Sequence, residues 1–173
     1  PLAWSSAASD VYKRQTIISF GFLIESCKKD KEITNSDLLN GDWNITNLEY
    51  DTQIEIPVVG TQSFSGEAND AGFWSFQYPE NTCSNTLSFA VTIDNPLISA
   101  IFDSIPIDIN SNGTWELSNN DNTLTITDEQ TGAVSNYQIL SIQENICFLE
   151  GQIQVEEMFG FAPVVDIELR LNK

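Results

Sequence analysis

The chain has 173 residues, 25 acidic and 7 basic, with no histidine and a formal charge of −18. A surface of that sign repels phosphate backbones and anionic head groups, which excludes nucleic acid as a partner and membrane attachment by charge alone. Without His there is no His triad or imidazole base, and no GxxxxGK or GxGxxG run is present to hold a nucleotide, so neither an enzyme nor a cofactor is expected.

Residues 1–15, PLAWSSAASDVYKRQ, contain no initiator methionine, and Met158 is the single Met of the chain. SSAASDVYKRQ resembles a translated sequencing adapter, so 1–15 is set aside as foreign. TIISFGFLIES, 16–26, is an apolar run that stops at Cys27. A helix needs about 20 apolar residues to cross a bilayer, and this run is too short. It resembles the end of a bacterial lipoprotein signal of the Bacteroidetes type, with Ser26 as the small residue before the lipidated cysteine and Ile24 as the aliphatic residue three before it. Glu25 departs from that pattern. The resemblance implies a truncated signal peptide at 16–26, a lipid on Cys27 that tethers the protein to a membrane, and a tether over 27–36. It further implies residence at the bacterial outer membrane or cell surface, with the periplasmic side as the alternative.

From 37 to 173 the pattern is β. SDLL, 36–39, reads as a helical turn capped by Ser36. GDWNITNLEY, 41–50, puts Trp43 and Ile45 on one face and Leu48 and Tyr50 on the other, which predicts a bulge between them. TQIEIPVVG, 52–60, reads as a second strand in which Pro57 favours an edge or bulge. TQSFSG, 61–66, and GFWSFQY, 72–78, follow, the latter with Trp74, Phe76 and Tyr78 on one face. TLSFAVTID, 86–94, alternates cleanly through Leu87, Phe89, Val91 and Ile93. LISAIF, 97–102, is open between loop and short helix. SIPIDI (104–109), TWELS (114–118), TLTITD (123–128), AVSNYQILSI (133–142), ICFLEGQIQVEE (146–157) and PVVDIELRL (163–171) complete the series, separated by turns at NSNG, NNDN, EQTG and QEN. The Asn and Asp residues of NSNG and NNDN read as turn formers; neither stretch follows the calcium loop DxDxDG.

No segment is long enough for a crossover helix, which excludes parallel α/β folds. The expected fold is all-β: an antiparallel up-and-down barrel of about eight strands, with a β-sandwich as the alternative. Closure has the advantage of leaving no long edge unpaired. In an exported domain Cys83 and Cys147 are the two thiols left to pair, so a Cys83–Cys147 disulfide is the candidate bridge. A metal site has almost no ligands to draw on.

LLNGDW, 38–43, resembles the opening Gly-x-Trp of lipocalins, with Gly41 and Trp43 in the matching places. Residues 112–142 resemble the later strands of lipocalin-like domains of Bacteroidetes lipoproteins, with Gly113, Thr114, Trp115, Leu124, Ile126 and Tyr137 on the pattern. The resemblance spans 37–173. It implies a barrel with Trp43 at its closed end and a non-catalytic protein that binds a small hydrophobic ligand. Lipocalins set a late basic residue over that Trp; Arg170 is the residue considered for the place, without a match. Trp43, Trp74, Phe76, Phe89 and Trp115 are the candidate barrel lining. The alternative is a filled barrel serving as a structural or protein-interaction module of the cell envelope, since strand aromatics readily fill a packed core.

Overall fold

Buried and exposed side chains alternate along the strands, as a sheet with one dry face requires. The computed structural model describes residues 33–56, 60–93, 104–155 and 164–173. The short helix α1 (Asn35–Leu39) precedes β1 (Gly41–Ile56), β2 (Gly60–Gln77), β3 (Thr82–Thr92), β4 (Ser104–Ser118), β5 (Thr123–Asp128), β6 (Val134–Gln143), β7 (Ile146–Gln154) and β8 (Val164–Asn172). Each strand pairs antiparallel with the next, and β1 pairs with β8 as well as β2, so the sheet closes into an eight-stranded barrel. The fold is all-β and lipocalin-like, and closure excludes the two-sheet sandwich.

The expected bulge sits in β1. Register shifts between Ile45 and Asn47 against both neighbouring strands. One extra residue resets the phase, so Trp43 and Ile45 before it and Leu48 and Tyr50 after it all point into the core. β6 uses the same device between Ile139 and Ser141, which turns Leu140 out to solvent.

Three pairs of expected strands are single strands. Residues 41–50 and 52–56 run together as β1, and 61–66 joins 72–77 in β2 through Asp70 at φ 53°. NSNG is no turn: Asn110, Ser111, Asn112 and Gly113 pair residue for residue with Thr86, Asn85, Ser84 and Cys83 inside β4. Gly113 is there because a Cβ would collide with the Thr127 carbonyl across the strand pair, a close approach that punctuates the sequence as a turn does. NNDN is a turn, with Asn119, Asn120 and Asp121 in left-handed conformation. The helix cap is Thr34 rather than Ser36. Its hydroxyl accepts from Asp37 N–H at 3.2 Å while the Asp37 carboxylate accepts Thr34 N–H at 3.1 Å, a reciprocal capping box. The adapter-like stretch, the signal, Cys27, Pro57 and LISAIF lie outside the described residues.

Candidate ligand site opposite the helix-covered end of the barrel

Strand direction gives the barrel two different ends. The β2–β3, β4–β5 and β6–β7 turns gather at the end that α1 covers. There the Trp43 indole N–H donates to the Leu39 carbonyl at 2.7 Å. The Lys173 ammonium stands 4.6 Å from the Trp43 ring centre and donates to the carbonyls of Leu38 (2.7 Å) and Asn40 (2.8 Å). Lys173, not Arg170, is therefore the late basic residue over the first-strand Trp; Arg170 lies 6.0 Å from the Phe148 ring centre. Asn35 Nδ2 donates to the Asp121 carbonyl at 3.1 Å, and Tyr78 N–H donates to Asn40 Oδ1 at 3.0 Å. These bonds tie the helical segment to two of the turns it covers.

All five candidate lining residues are buried. Trp43, at the closed end, is the direct partner of Trp74 across β1–β2. Trp74, Phe76 and Trp115 form a run of edge contacts, Trp74 to Phe76 at 5.9 Å and Phe76 to Trp115 at 5.7 Å between ring centres. Tyr137 extends the run from the other side, 5.1 Å from Trp74. Phe89 packs separately on Tyr50 at 5.5 Å. Tyr78, expected on the same face as Trp74 and Phe76, lies beyond the end of β2 and is exposed.

At the opposite end, among β4, β5, β6 and β7, is a cavity of about 770 Å³. Ile107, Ile126, Ile153 and Val155 supply apolar wall, and much of the rest is polar, with the Asp108 and Asp128 carboxylates among carboxamides and hydroxyls that include Asn85 and Tyr137. None of the five candidate aromatics borders it. Gly151 faces Tyr137 across β6–β7, where a Cβ would come within 2.5 Å of the ring, so the missing side chain makes room for the tyrosine. Burial pushes the Tyr137 phenol up to about 12, which leaves it a neutral hydroxyl. At the rim, Asp128 Oδ1 accepts from Thr131 N–H (2.7 Å), Thr131 Oγ1 (2.7 Å) and Gln130 N–H (3.0 Å).

Tyr137 was within reach of the sequence, which places it on an alternating strand. Asn85 carried a subtler signal. Alternation in β3 begins at Cys83 rather than Leu87 and puts Asn85 in the inward phase.

The outer wall carries a second, shallower depression of about 510 Å³ over β2, β1, β8 and β7. Register places Glu67, Glu49, Glu168 and Glu150 in one row across these four strands. Among the described residues no group of three or more His, Cys, Asp or Glu is arranged to hold a metal ion.

The expected Cys83–Cys147 disulfide is absent: both are free, buried thiols. The reason is topological. Cys83 is on β3 and Cys147 on β7, halfway round the closed strand order, so the width of the barrel separates two residues that a bridge needs within about 7 Å, Cα to Cα. Burial pushes the Cys83 thiol up to about 11 and the Cys147 thiol up to about 12.

No protein-family model matches the sequence, and no curated protein sequence matches it. Solved structures similar to it include the bovine lipocalin allergen Bos d 2, with 9% identity and a TM-score of 0.39 over 80% of this chain and 75% of that one. A bovine odorant binding protein, a deswapped triple mutant, is similar with 14% identity and a TM-score of 0.37 over 78% of this chain and 73% of that one.

Proposed function

We propose that the domain is a non-catalytic carrier that holds one small, largely apolar molecule at the open end of its barrel, on a protein anchored through lipid at Cys27 to the outer membrane or surface of a Bacteroidetes-type bacterium. The mouth cavity carries the first part. Its volume of about 770 Å³ falls within the roughly 300–1,000 Å³ of small-molecule sites. The isoleucine part of its wall favours apolar ligand surface by about 25 cal/mol per Å² removed from water. Its lining combines those aliphatic chains with carboxamides, hydroxyls, the neutral Tyr137 phenol and the Asp108 and Asp128 carboxylates, groups that give shape and polar contact. The anchor rests on sequence, in the apolar run 16–26 that stops at Cys27 and the tether over 27–36, with 1–15 taken as foreign.

The carrier role is tested by titrating fatty alcohols and other hydrophobes while following intrinsic tryptophan fluorescence, since Trp74 touches the cavity residue Tyr137. A saturable change is expected, and an Ile107→Trp substitution that fills the cavity should abolish it. Flat titrations across chain lengths would move the function to the envelope-interaction module. The row of glutamates on the outer wall favours that second reading, with a basic envelope protein as partner. Binding that persists in the cavity-filled variant and disappears in high salt would identify it. Mass analysis of the mature N-terminus decides the anchor: an acylated Cys27 is expected, and a chain starting elsewhere removes it.

A further inference from the structure

Among the described residues, two buried side-chain polar atoms have no hydrogen-bond partner: Nε1 of Trp74 and Oδ1 of Asn85. Trp74 is 1% exposed and Asn85 8%, so bulk water does not serve them. Buried polar groups are almost always paired, and one left alone opposes folding. These two are neighbours. They are direct partners across β2–β3, an arrangement that sets Cβ atoms about 5 Å apart. Asn85 in turn faces Ser111 across β3–β4. Asn85, Ser111 and Tyr137 all border the mouth cavity, and Tyr137 stands edge-on to Trp74. Asn85 thus brings an unused acceptor to the edge of the cavity, and its cross-strand partner Trp74, which does not itself border the cavity, holds an unused donor beside it.

Building on the carrier function above, we propose that the ligand is a neutral amphipath whose hydroxyl group docks between Asn85 and Trp74, with its hydrocarbon against Ile107, Ile126 and Ile153. A hydroxyl both accepts and donates, so one group satisfies the indole N–H and the carboxamide oxygen together. It also suits either orientation of the carboxamide. An alkane leaves both atoms unpaired. An ammonium serves the oxygen but has nothing to accept the indole N–H. A carboxylate can accept from the indole but offers Asn85 Oδ1 no proton, and among the described residues no Lys or Arg borders the cavity to offset its charge. The Asp128 carboxylate at the rim opposes it further.

The test compares 1-decanol, n-undecane, which has the same number of heavy atoms, and decanoate at pH 8, with affinities measured calorimetrically on the full domain. Decanol should bind about tenfold tighter than undecane, the difference of one well-buried hydrogen-bonded group, and decanoate should be the weakest. Asn85→Leu should erase the preference for decanol while undecane binding is kept or improved. If that variant fails to fold, Trp74→Phe removes the N–H alone and should narrow the preference by itself. Equal binding of decanol and undecane to the unaltered protein overturns the hydroxyl assignment and leaves the carrier function standing. So does a preference that survives both substitutions, or decanoate binding as tight as decanol. Absence of saturable binding by any of the three overturns the carrier function and the assignment with it.

Discussion

Two neighbouring parts of the barrel treat their polar groups in opposite ways. At the closed end Trp43, Leu39 and Lys173 answer one another: the indole N–H meets a carbonyl, and one ammonium covers the ring and two more carbonyls. Next to it, the indole of Trp74, the partner of Trp43 across β1–β2, and the amide oxygen of Asn85, which borders the mouth cavity, go unanswered. The difference teaches where the chain can accommodate a ligand. A cluster sealed by mutual bonds has no groups to spare, while unpaired groups lower their free energy when something arrives to pair them.

The largest expected effect breaks the sealed end. Trp43→Ala removes a fully buried indole from under α1 and should lower stability by about 3–5 kcal/mol, as deletion of a core aromatic does, measured by urea unfolding. A loss under 1 kcal/mol would show that Trp43 does not hold that end. Lys173→Met keeps the apolar stem and removes the ammonium. It should cost about 1–2 kcal/mol through the lost charged hydrogen bonds and ring contact, and Arg170→Met much less. Equal effects would return the role to Arg170.

The mouth should respond with the opposite sign. Asn85→Leu replaces an unpaired buried amide by a side chain of similar size and should raise ligand-free stability by about 1 kcal/mol while weakening hydroxyl recognition. Destabilisation by that amount would mean that Asn85 serves the fold rather than the ligand. The thiols give a near-zero effect that separates the observed barrel from the bridged one. Reductant should leave the melting temperature unchanged, and Cys83 and Cys147 should resist alkylation at neutral pH until the protein unfolds, because burial keeps both as thiols.

What the sequence made legible was whatever repeats locally. Alternation revealed the strands, and the slip between Trp43–Ile45 and Leu48–Tyr50 revealed the bulge, because a phase error is visible within ten residues. Gly-x-Trp pointed to the sealed end. What stayed hidden depends on who meets whom across the barrel. NSNG has turn chemistry, yet its glycine answers a carbonyl on β5 that no neighbouring residue announces. Export chemistry says that Cys83 and Cys147 have reason to pair, but only strand order puts them on opposite walls. Lys173 reaches Trp43 only once β8 closes on β1. The mouth cavity was hidden for the same reason. Its wall comes from isoleucine-bearing strands that look like ordinary core, while the large aromatics that attract attention in sequence pack against one another.

Acid should separate the two ends more finely. Asp128, at the mouth, holds the β5–β6 turn as a carboxylate accepting from Thr131 N–H, Thr131 Oγ1 and Gln130 N–H. The Thr131 amide and then its hydroxyl, with smaller help from Ser111 and Gln130, hold its acid constant well below the ordinary 3.8, at about 2. A carboxyl depressed in the folded state contributes its stabilisation fully above the unfolded value and loses it as pH falls through the folded one. The mouth turn should therefore stay closed at neutral pH and loosen as pH drops from 3.8 through about 2. The β4–β5 turn at the sealed end closes through Asn122 N–H to the Ser118 carbonyl at 3.1 Å, a bond with no carboxylate in it. Following the Thr131 amide by NMR in an acid titration should give a midpoint near that depressed value, and in Asp128→Ala the response should vanish while the Asn122 amide is unaffected in both. A Thr131 midpoint near 3.8, or a response that survives the substitution, would show that Asp128 does not hold the rim. With the turn loosened, Thr131 and Val134 at the cavity edge lose their tether, so hydroxyl-ligand affinity should fall in the same window before the barrel itself unfolds.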